Sequence, residues 1–505
     1  MKRLVPVLTL LAAACTTAPV EVAEPPPTTD APPPSVSAVA SSVPDGAPGG
    51  EGIGDRLYPR LGNGGYDVDA YAFVIEVSPG GKITAEADIL LVAAHDLSQF
   101  NLDLSGLTVD GISVAGFPDA TGSQADRELI VDLGGTAAGG SSLSVTIEYS
   151  GTPEPVPADA VPFAPGWRTG NETFYLFSQP DGASSLFPVN DHPLDRADVV
   201  LSVTVPEGYD AISGGELVSV SSEAGSETFT WEMETIAPYL IPLAIGRFDL
   251  IFEDTRDGVL YDVWAAAPLS ESRSFELFEI QPRIVEFFEE RFGPYPFDRA
   301  GALIVNDDLP AALETQTIPT YTAVSAGWGE VVIAHELAHQ WFGNAIALEQ
   351  WDDIWLNEGF ATFAHWLWLE ESKGRERYEQ EIASAYGSFS GQGLVDGGAT
   401  PDEARRRVID AFPPPDEPRA TDLFNASVYE RGGLALAALR AEVGDDAFFG
   451  FVREYTARHV GGTIDTESFL SLVSEVLGEP ASALVRSWVQ DPFVPPLPAF
   501  GLSPP

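Results

Sequence analysis

The chain has 505 residues, more than one hydrophobic core usually serves, so we expect two or three domains. Its formal net charge is −50, from 76 acidic and 26 basic residues. The acidic residues are spread along the sequence, and such a surface repels the phosphates of nucleic acids and of anionic membranes. This composition excludes nucleic acid as a partner.

The first fifteen residues have the pattern of a secretory signal peptide. Lys2 and Arg3 form a positive region, residues 4–14 are an apolar run too short to span a bilayer, and small residues precede Cys15. The pattern resembles a bacterial lipoprotein signal. We therefore expect residues 1–15 to be a lipoprotein-type signal peptide and Cys15 to be lipidated. The protein would then be extracytoplasmic, held at the bacterial cell surface, with membrane contact only through this anchor.

Residues 16–60 are expected to form a disordered tether, because Pro, Ala, Ser and Gly dominate them and large apolar residues are few. Residues 61–252 have a different pattern, in which apolar and polar residues alternate. The stretches 143–149 and 199–205 show this period of two clearly. The pattern predicts an N-terminal antiparallel β domain.

Helical periodicity replaces this alternation beyond about residue 270. We place one domain at residues 253–444 and a helical C-terminal region at residues 445–505. The predicted helices span residues 270–292, 331–344, 358–373, 375–389, 427–442, 446–458 and 465–477.

The strongest signal for chemistry is HELAH at residues 335–339, followed after eighteen residues by Glu358. His335 and His339 lie four apart on a predicted helix, so both can bind one Zn²⁺, with Glu358 as third ligand. Glu336 is placed to act as general base on a metal-bound water. The chain has six histidines, so a chance HExxH has odds of roughly one in two hundred. The motif predicts a zinc hydrolase with one Zn²⁺ per chain.

Several segments resemble the zinc aminopeptidases of the aminopeptidase N and leukotriene hydrolase type, which are gluzincin metallopeptidases. The resemblance implies a multidomain protein with an N-terminal antiparallel β saddle domain, a thermolysin-like α+β catalytic domain and a short α-helical C-terminal part. The matching segments are HELAHQWFGN (335–344), WLNEGFA (355–361), FGPYPF (292–297), and residues 179–193 and 239–248.

The same resemblance implies which residues handle the substrate. Tyr429 looks like the family tyrosine that faces the scissile carbonyl and stabilises its developing charge. Glu314 looks like the carboxylate that captures the free α-ammonium of the substrate, which would make the enzyme an exopeptidase. Gln179 and Ala312 are further substrate-binding residues implied in this way.

We therefore expect a zinc aminopeptidase that hydrolyses N-terminal residues from peptides outside the cytoplasm, with free-amine peptides as its partners. A gluzincin endopeptidase stays open as an alternative, because Ala311 and Thr315 stand beside Glu314 where the family has Gly and Asn. An inactive peptidase fold used as a surface binding lipoprotein also stays open, although every motif residue is present. The sequence carries no signal for an oligomeric state.

Three other residues are given simpler interpretations. His192 is expected to be a turn residue. For His365, seven positions past Glu358, packing is favoured over contact with a metal ligand. Asp353 is a candidate to orient a ligand imidazole through a hydrogen bond.

Overall fold

The computed structural model describes residues 46–158 and 160–505. The expected signal peptide, Cys15 and residues 16–45 of the expected tether lie outside these ranges. Strands dominate the first half of the described chain and helices the second half. The strands are β1 (Ala47–Pro48), β2 (Tyr66–Val77), β3 (Ile83–Ala93), β4 (Leu97–Asp103), β5 (Thr108–Val114), β6 (Thr121–Ala125), β7 (Glu128–Ala137), β8 (Ser142–Gly151), β9 (Gly166–Thr169), β10 (Thr173–Phe177), β11 (Ala197–Pro206), β12 (Asp210–Ser213), β13 (Glu216–Glu223), β14 (Ser226–Ile236), β15 (Leu243–Gly246), β16 (Phe248–Arg256), β17 (Val259–Ala266), β18 (Ala302–Val305), β19 (Ala312–Leu313), β20 (Thr320–Thr322), β21 (Ala347–Leu348) and β22 (Thr463–Ile464).

The α-helices lie beyond residue 270, where the sequence changes from alternating to helical periodicity. Short 3₁₀ segments join several of them, and a π-helical turn, Ser427–Arg431, precedes the seventh. The α-helices are α1 (Gln281–Phe292), α2 (Glu330–Ala338), α3 (Trp355–Lys373), α4 (Arg375–Ser390), α5 (Gln392–Asp396), α6 (Pro401–Ala411), α7 (Gly432–Val443), α8 (Asp445–His459), α9 (Thr466–Leu477) and α10 (Glu479–Val489).

The β-rich part is built on a seven-stranded sheet in the order β13-β14-β11-β2-β3-β8-β5. Along β3 the residues from Ile83 to Leu91 alternate buried and exposed, so one face packs on the core and the other meets solvent. The pairing is antiparallel except between β2 and β11, which run parallel. Two four-stranded sheets, β1-β4-β7-β6 and β12-β15-β10-β9, complete this region. The predicted β domain is thus confirmed, with two parallel pairs, β2–β11 and β1–β4, that the sequence pattern did not indicate.

The catalytic part combines a mixed five-stranded sheet, β16-β17-β18-β20-β19, with helices. The pairs β17–β18 and β18–β20 are parallel, and the short β19 lies antiparallel at the edge. Helix α3 is buried from Trp355 to Ala364 and again from Trp366 to Leu369. A helix that is apolar on nearly all sides belongs in the centre of a domain. The predicted multidomain α+β architecture with a helical C-terminal part is confirmed.

The tether prediction does not hold for residues 46–60, which pack against the folded chain. Strand β1 pairs with β4, and Asp55 is only 2% exposed. The Asp55 carboxylate accepts hydrogen bonds from the backbone N–H groups of Tyr58 and Trp351 and lies 3.1 Å from Nε2 of His192. The low-complexity composition does not predict this contact, because it depends on a single residue. One buried carboxylate can accept hydrogen bonds from distant segments. His192, expected as a turn residue, is fully buried beside it.

Four predicted helices, those beginning near residues 358, 375, 446 and 465, agree with α3, α4, α8 and α9 to within three residues. The helix predicted for 331–344 ends earlier, at Ala338, and the one for 270–292 begins as a 3₁₀ segment. Helices α5, α6 and α10 were not predicted. Within residues 46–158 and 160–505, no helix combines the length and the apolar character needed to cross a membrane.

Candidate active site

The HELAH motif lies at the end of α2 and brings two imidazoles to one side of the helix. The Nε2 atoms of His335 and His339 are 3.2 Å apart. His339 turns its other nitrogen, Nδ1, towards the carbonyl oxygen of Phe342 at 3.0 Å, a contact that fixes the orientation of a ligand ring. His339 is 1% exposed, so this arrangement is set by packing as well as by hydrogen bonding.

Glu358 in the first turn of α3 completes a triangle of ligand atoms. Its Oε2 is 3.3 Å from Nε2 of His335 and 3.4 Å from Nε2 of His339. Four ligands held tetrahedrally at about 2.0–2.1 Å from zinc are about 3.3 Å from one another. Two imidazoles and one carboxylate at this spacing fit a zinc ion and leave its fourth position open.

The charges in this triangle favour metal binding. Burial acts to raise the pKa of Glu358, but His339 and the hydrogen bonds from His335 and His339 outweigh it and lower the pKa to about 2. Burial acts to lower the pKa of His339, but Glu358 and Glu314 raise it to about 10. Glu358 is therefore ionised near neutral pH, as a ligand must be, and a bound metal would take the place of a proton on His339.

Glu336 and Tyr429 are titratable groups beside the ligand triangle. Burial raises the pKa of Glu336 well above its ordinary value, and the charge of Glu314 adds to this effect while His339 opposes it. Burial also raises the pKa of Tyr429 well above its ordinary value, with Glu358 contributing. The carboxyl group is thus able to hold a proton, and the phenol keeps its own.

Tyr429 is carried by the π-helical turn Ser427–Arg431, and its ring lies over that of His335 with centroids 6.0 Å apart. Gly359 and Gly432 allow this turn to approach α3 at backbone distance. A Cβ atom at Gly359 would lie 2.9 Å from Cα of Gly432, closer than real side chains come. The two glycines, one directly after Glu358 and one three residues after Tyr429, therefore let the tyrosine lie near the ligand triangle.

Glu314 lies at the other end of the site, directly after β19, and is 3% exposed. Its Oε1 accepts a hydrogen bond from Nε2 of Gln179 at 2.7 Å. Its backbone carbonyl accepts from Nδ2 of Asn344 at 2.7 Å and from Nε2 of Gln340 at 3.4 Å. Burial raises the pKa of Glu314 to about 7, although His339 opposes the shift. The segment that carries the histidines thus also holds the backbone of this carboxylate.

One cleft of about 420 Å³ contains all the residues that the sequence proposes for catalysis, metal binding and substrate binding. Much of its remaining wall is apolar. Trp328, 51% exposed, and Val331 belong to this wall and were not named from the sequence. The proposed residues in the cleft are Gln179, Ala312, Glu314, His335, Glu336, His339, Glu358 and Tyr429.

Two neighbours of the site differ from the sequence interpretation. Asp353 uses its Oδ1 to accept hydrogen bonds from the backbone and hydroxyl of Thr466, at 2.9 and 2.7 Å, so the idea that it orients a ligand imidazole is wrong. His365 places its Nδ1 3.3 Å from Nδ1 of His335, so it contacts a ligand rather than only packing. Its spacing of seven from Glu358 on α3 was the available signal, since residues two helical turns apart share a face.

Comparison with known proteins gives a consistent result. Residues 276–488 match the peptidase family M1 domain. Aminopeptidase M1 of Arabidopsis thaliana is 25% identical over 331 residues, 63% of this chain and 36% of that protein. Aminopeptidase N of Lactococcus lactis subsp. lactis is 27% identical over 338 residues, 62% of this chain and 38% of that protein. The chain thus spans well under half the length of these two curated relatives.

Solved structures match over nearly their whole length. The crystal structure of an M1 zinc metallopeptidase from Deinococcus radiodurans, as a point mutant bound to a Tyr-Ser-Ala substrate, is 31% identical with a TM-score of 0.77. The match covers 88% of this chain and 99% of that one. The same metallopeptidase without the mutation is 30% identical with a TM-score of 0.76, over 88% and 98% of the two chains.

Proposed function

The chain belongs to peptidase family M1, and on this basis we propose that it is a zinc-dependent aminopeptidase that hydrolyses N-terminal residues from peptides. One observation carries the proposal: a carboxylate oxygen of the buried Glu314 lies within 4.8 Å of both an imidazole nitrogen of His339 and a carboxylate oxygen of Glu336. A peptide whose ammonium group binds Glu314 has its first peptide bond beside the metal ligands.

The amine end of the cleft recognises charge. Gln179 donates to one oxygen of Glu314 and thereby orients the carboxylate, while the ammonium group of the substrate binds the negative charge. Ala312 lines the cleft two residues before Glu314, where a small side chain leaves room for the first residue of the peptide. Thr315 donates its hydroxyl to the carbonyl oxygen of Ile318 at 2.7 Å and is not among the residues that line the cleft. The substitution at Thr315 therefore gives no support to an endopeptidase.

Zinc, the cofactor that the family implies, polarises the scissile carbonyl when bound and lowers the pKa of water towards about 7. Glu336 accepts a proton from the attacking water and delivers it to the leaving amine. The burial that raises the pKa of Glu336 suits both steps, since a carboxyl group with an ordinary pKa would lose the proton too readily.

Tyr429 stabilises the carbonyl oxygen as that atom gains negative charge. The phenol lies in the cleft beside His335 and keeps its proton because burial raises its pKa, so its O–H is available to donate a hydrogen bond. A donor fixed in advance in a largely buried site lowers the barrier without reorganising during the reaction.

We also propose that the enzyme works outside the cytoplasm, attached to the cell surface through a lipid on Cys15. The support is the sequence alone: a short positive region, an apolar run and small residues before a single cysteine. The stretch that follows is rich in Pro and Ala, a composition typical of linkers.

The test is hydrolysis of matched peptides with a free or an acetylated N-terminus by the purified protein, with and without a zinc chelator. We expect cleavage of the free peptide only, release of its first residue, loss of activity with the chelator and recovery on adding zinc. Cleavage of the acetylated peptide at an equal rate would instead indicate an endopeptidase. Cleavage of neither peptide by zinc-loaded protein would indicate a binding module.

A further inference from the structure

The contact between His335 and His365 carries an inference about the metal site. The Nε2 atom of His335 faces Nε2 of His339 and Oε2 of Glu358, so it is the ligand nitrogen. Its Nδ1 faces the other way and meets Nδ1 of His365 at 3.3 Å. The two rings are tilted by 42° with centroids 5.5 Å apart.

The proton positions in this contact follow from the ligand role of His335. A neutral imidazole that binds a metal through Nε2 carries its proton on Nδ1, so His335 is the donor. His365 then accepts on Nδ1 and carries its own proton on Nε2. The other ligand imidazole is held differently, because Nδ1 of His339 donates to the carbonyl oxygen of Phe342 at 3.0 Å.

We propose that His365 is a positioning residue that accepts the Nδ1–H of His335 and so fixes the tautomer and ring orientation of His335. With this partner, His335 is a weaker zinc ligand than it would be with a carboxylate in place of His365. Ligand histidines in proteins usually donate to a carboxylate, a backbone carbonyl or water. A carboxylate partner draws the Nδ1 proton towards itself and makes the ligand nitrogen more basic. A neutral imidazole draws the Nδ1 proton less strongly, so the ligand nitrogen stays less basic. A bound zinc would then keep more of its positive charge for the substrate.

The position of His365 follows from α3, which carries Glu358 in its first turn. Seven residues are close to two helical turns, so both side chains lie on the face that meets α2. His365 lines the same cleft as the ligands and is only partly buried. The same helix therefore supplies one ligand and the partner of another.

The test compares zinc affinity among variants of the full-length protein by competition with a chelator, without peptide. His365→Leu removes the acceptor, and we expect it to weaken zinc binding by about 10–100-fold. His365→Gln keeps a neutral acceptor and should therefore retain most of the native zinc affinity. His365→Glu supplies a carboxylate and should bind zinc more tightly than the native protein. His459→Leu, at the end of α8 and away from the ligands, is the matched control and should leave zinc affinity unchanged.

Unchanged zinc affinity in His365→Leu, or an equal loss in His365→Gln, would overturn the proposal. If the Leu variant does not fold, the Glu variant decides, since zinc binding no tighter than native would also overturn it. The proposal for His365 rests on the proposed function, because it concerns the zinc site of that aminopeptidase. The two fail separately, because zinc affinity is measured without turnover and peptide cleavage is measured at saturating zinc.

Discussion

The two ends of the cleft are assembled in different ways. The metal end comes from consecutive helices, with His335 and His339 on α2 and Glu358 on α3, all within 24 residues of sequence. The amine end joins Gln179 and Glu314, which are 135 positions apart and follow strands of different sheets, β10 and β19. Helical periodicity brings the two histidines together and the packing of α3 on α2 adds Glu358, whereas the amine anchor exists only once the β domain has packed on the catalytic domain.

This difference separates chemistry from selectivity. The metal end holds the groups that move protons and stabilise charge, and the amine end holds the group that decides which peptides are aligned. The two ends are nevertheless coupled through one segment, because Gln340 and Asn344 follow the histidines and bind the backbone of Glu314. Substitutions at the metal end should therefore act on kcat, and substitutions at the amine end on recognition of the free amine.

The largest effect is expected from Glu336→Gln, which removes the proton acceptor at the metal end. We expect kcat to fall by roughly 10³–10⁴-fold, since no other carboxylate replaces the base. Zinc content should stay at one ion per chain, because Glu336 is not a ligand. Steady-state kinetics and metal analysis measure both. Glu330→Gln, at the start of the same helix and outside the cleft, is the matched control. Substantial residual turnover in Glu336→Gln would contradict the base role.

The next effect is expected from Tyr429→Phe, which removes one hydrogen-bond donor and little volume. Since the donor acts on charge that develops during the reaction, kcat should fall by roughly 10²–10³-fold while KM changes little. Tyr386→Phe provides the comparison, because its hydroxyl binds the carbonyl oxygen of Pro495 at 3.1 Å. A rise in KM with unchanged kcat would move Tyr429 from catalysis to substrate binding.

A smaller and different effect is expected at the amine end from Glu314→Gln. The amide preserves size but has no charge for the ammonium group, so kcat/KM for free-amine peptides should fall by roughly 10–100-fold. The loss should appear mainly in KM. A peptide with an acetylated N-terminus, already a poor substrate, should show no further loss. If both peptides lose activity equally through kcat, Glu314 belongs to the chemistry and the separation between the two ends fails.

The contrast between the metal end and the amine end also explains which site residues the sequence predicts. The ligands and the base follow from one motif, because spacing on a helix fixes which side chains share a face. Glu314 and Gln179 could be named only through the family resemblance, since no local pattern links residues that far apart. Helix α6 was missed although Thr400 and Glu403 form a capping box, a signal present in the sequence. Helix α10 was missed although Pro480, in its first turn, suits a helix start.

The N-terminal segment around Asp55 is the part that composition misjudged, and Asp55→Asn tests what that segment does. Asp55 lies far from substrate but binds the backbone of Trp351, just before α3. An amide offers one acceptor oxygen in place of two, so we expect the free energy of unfolding to fall by about 1–3 kcal/mol, seen as a lower urea midpoint. Activity per folded molecule should be close to native.

The loss of stability in Asp55→Asn should also depend on pH in a defined direction. Burial acts to raise the pKa of Asp55, but hydrogen bonds from His192, Trp351 and Tyr58 outweigh it and hold the pKa below its ordinary value of 3.8. The carboxylate therefore stabilises the folded state fully above pH 3.8, and this contribution is lost as the pH falls through the lowered folded-state pKa. The difference in urea midpoint between native protein and variant should be constant from pH 7 to 5 and shrink only in stronger acid. A difference that shrinks already near pH 6 would show that another group, and not the Asp55 carboxylate, holds the segment in place.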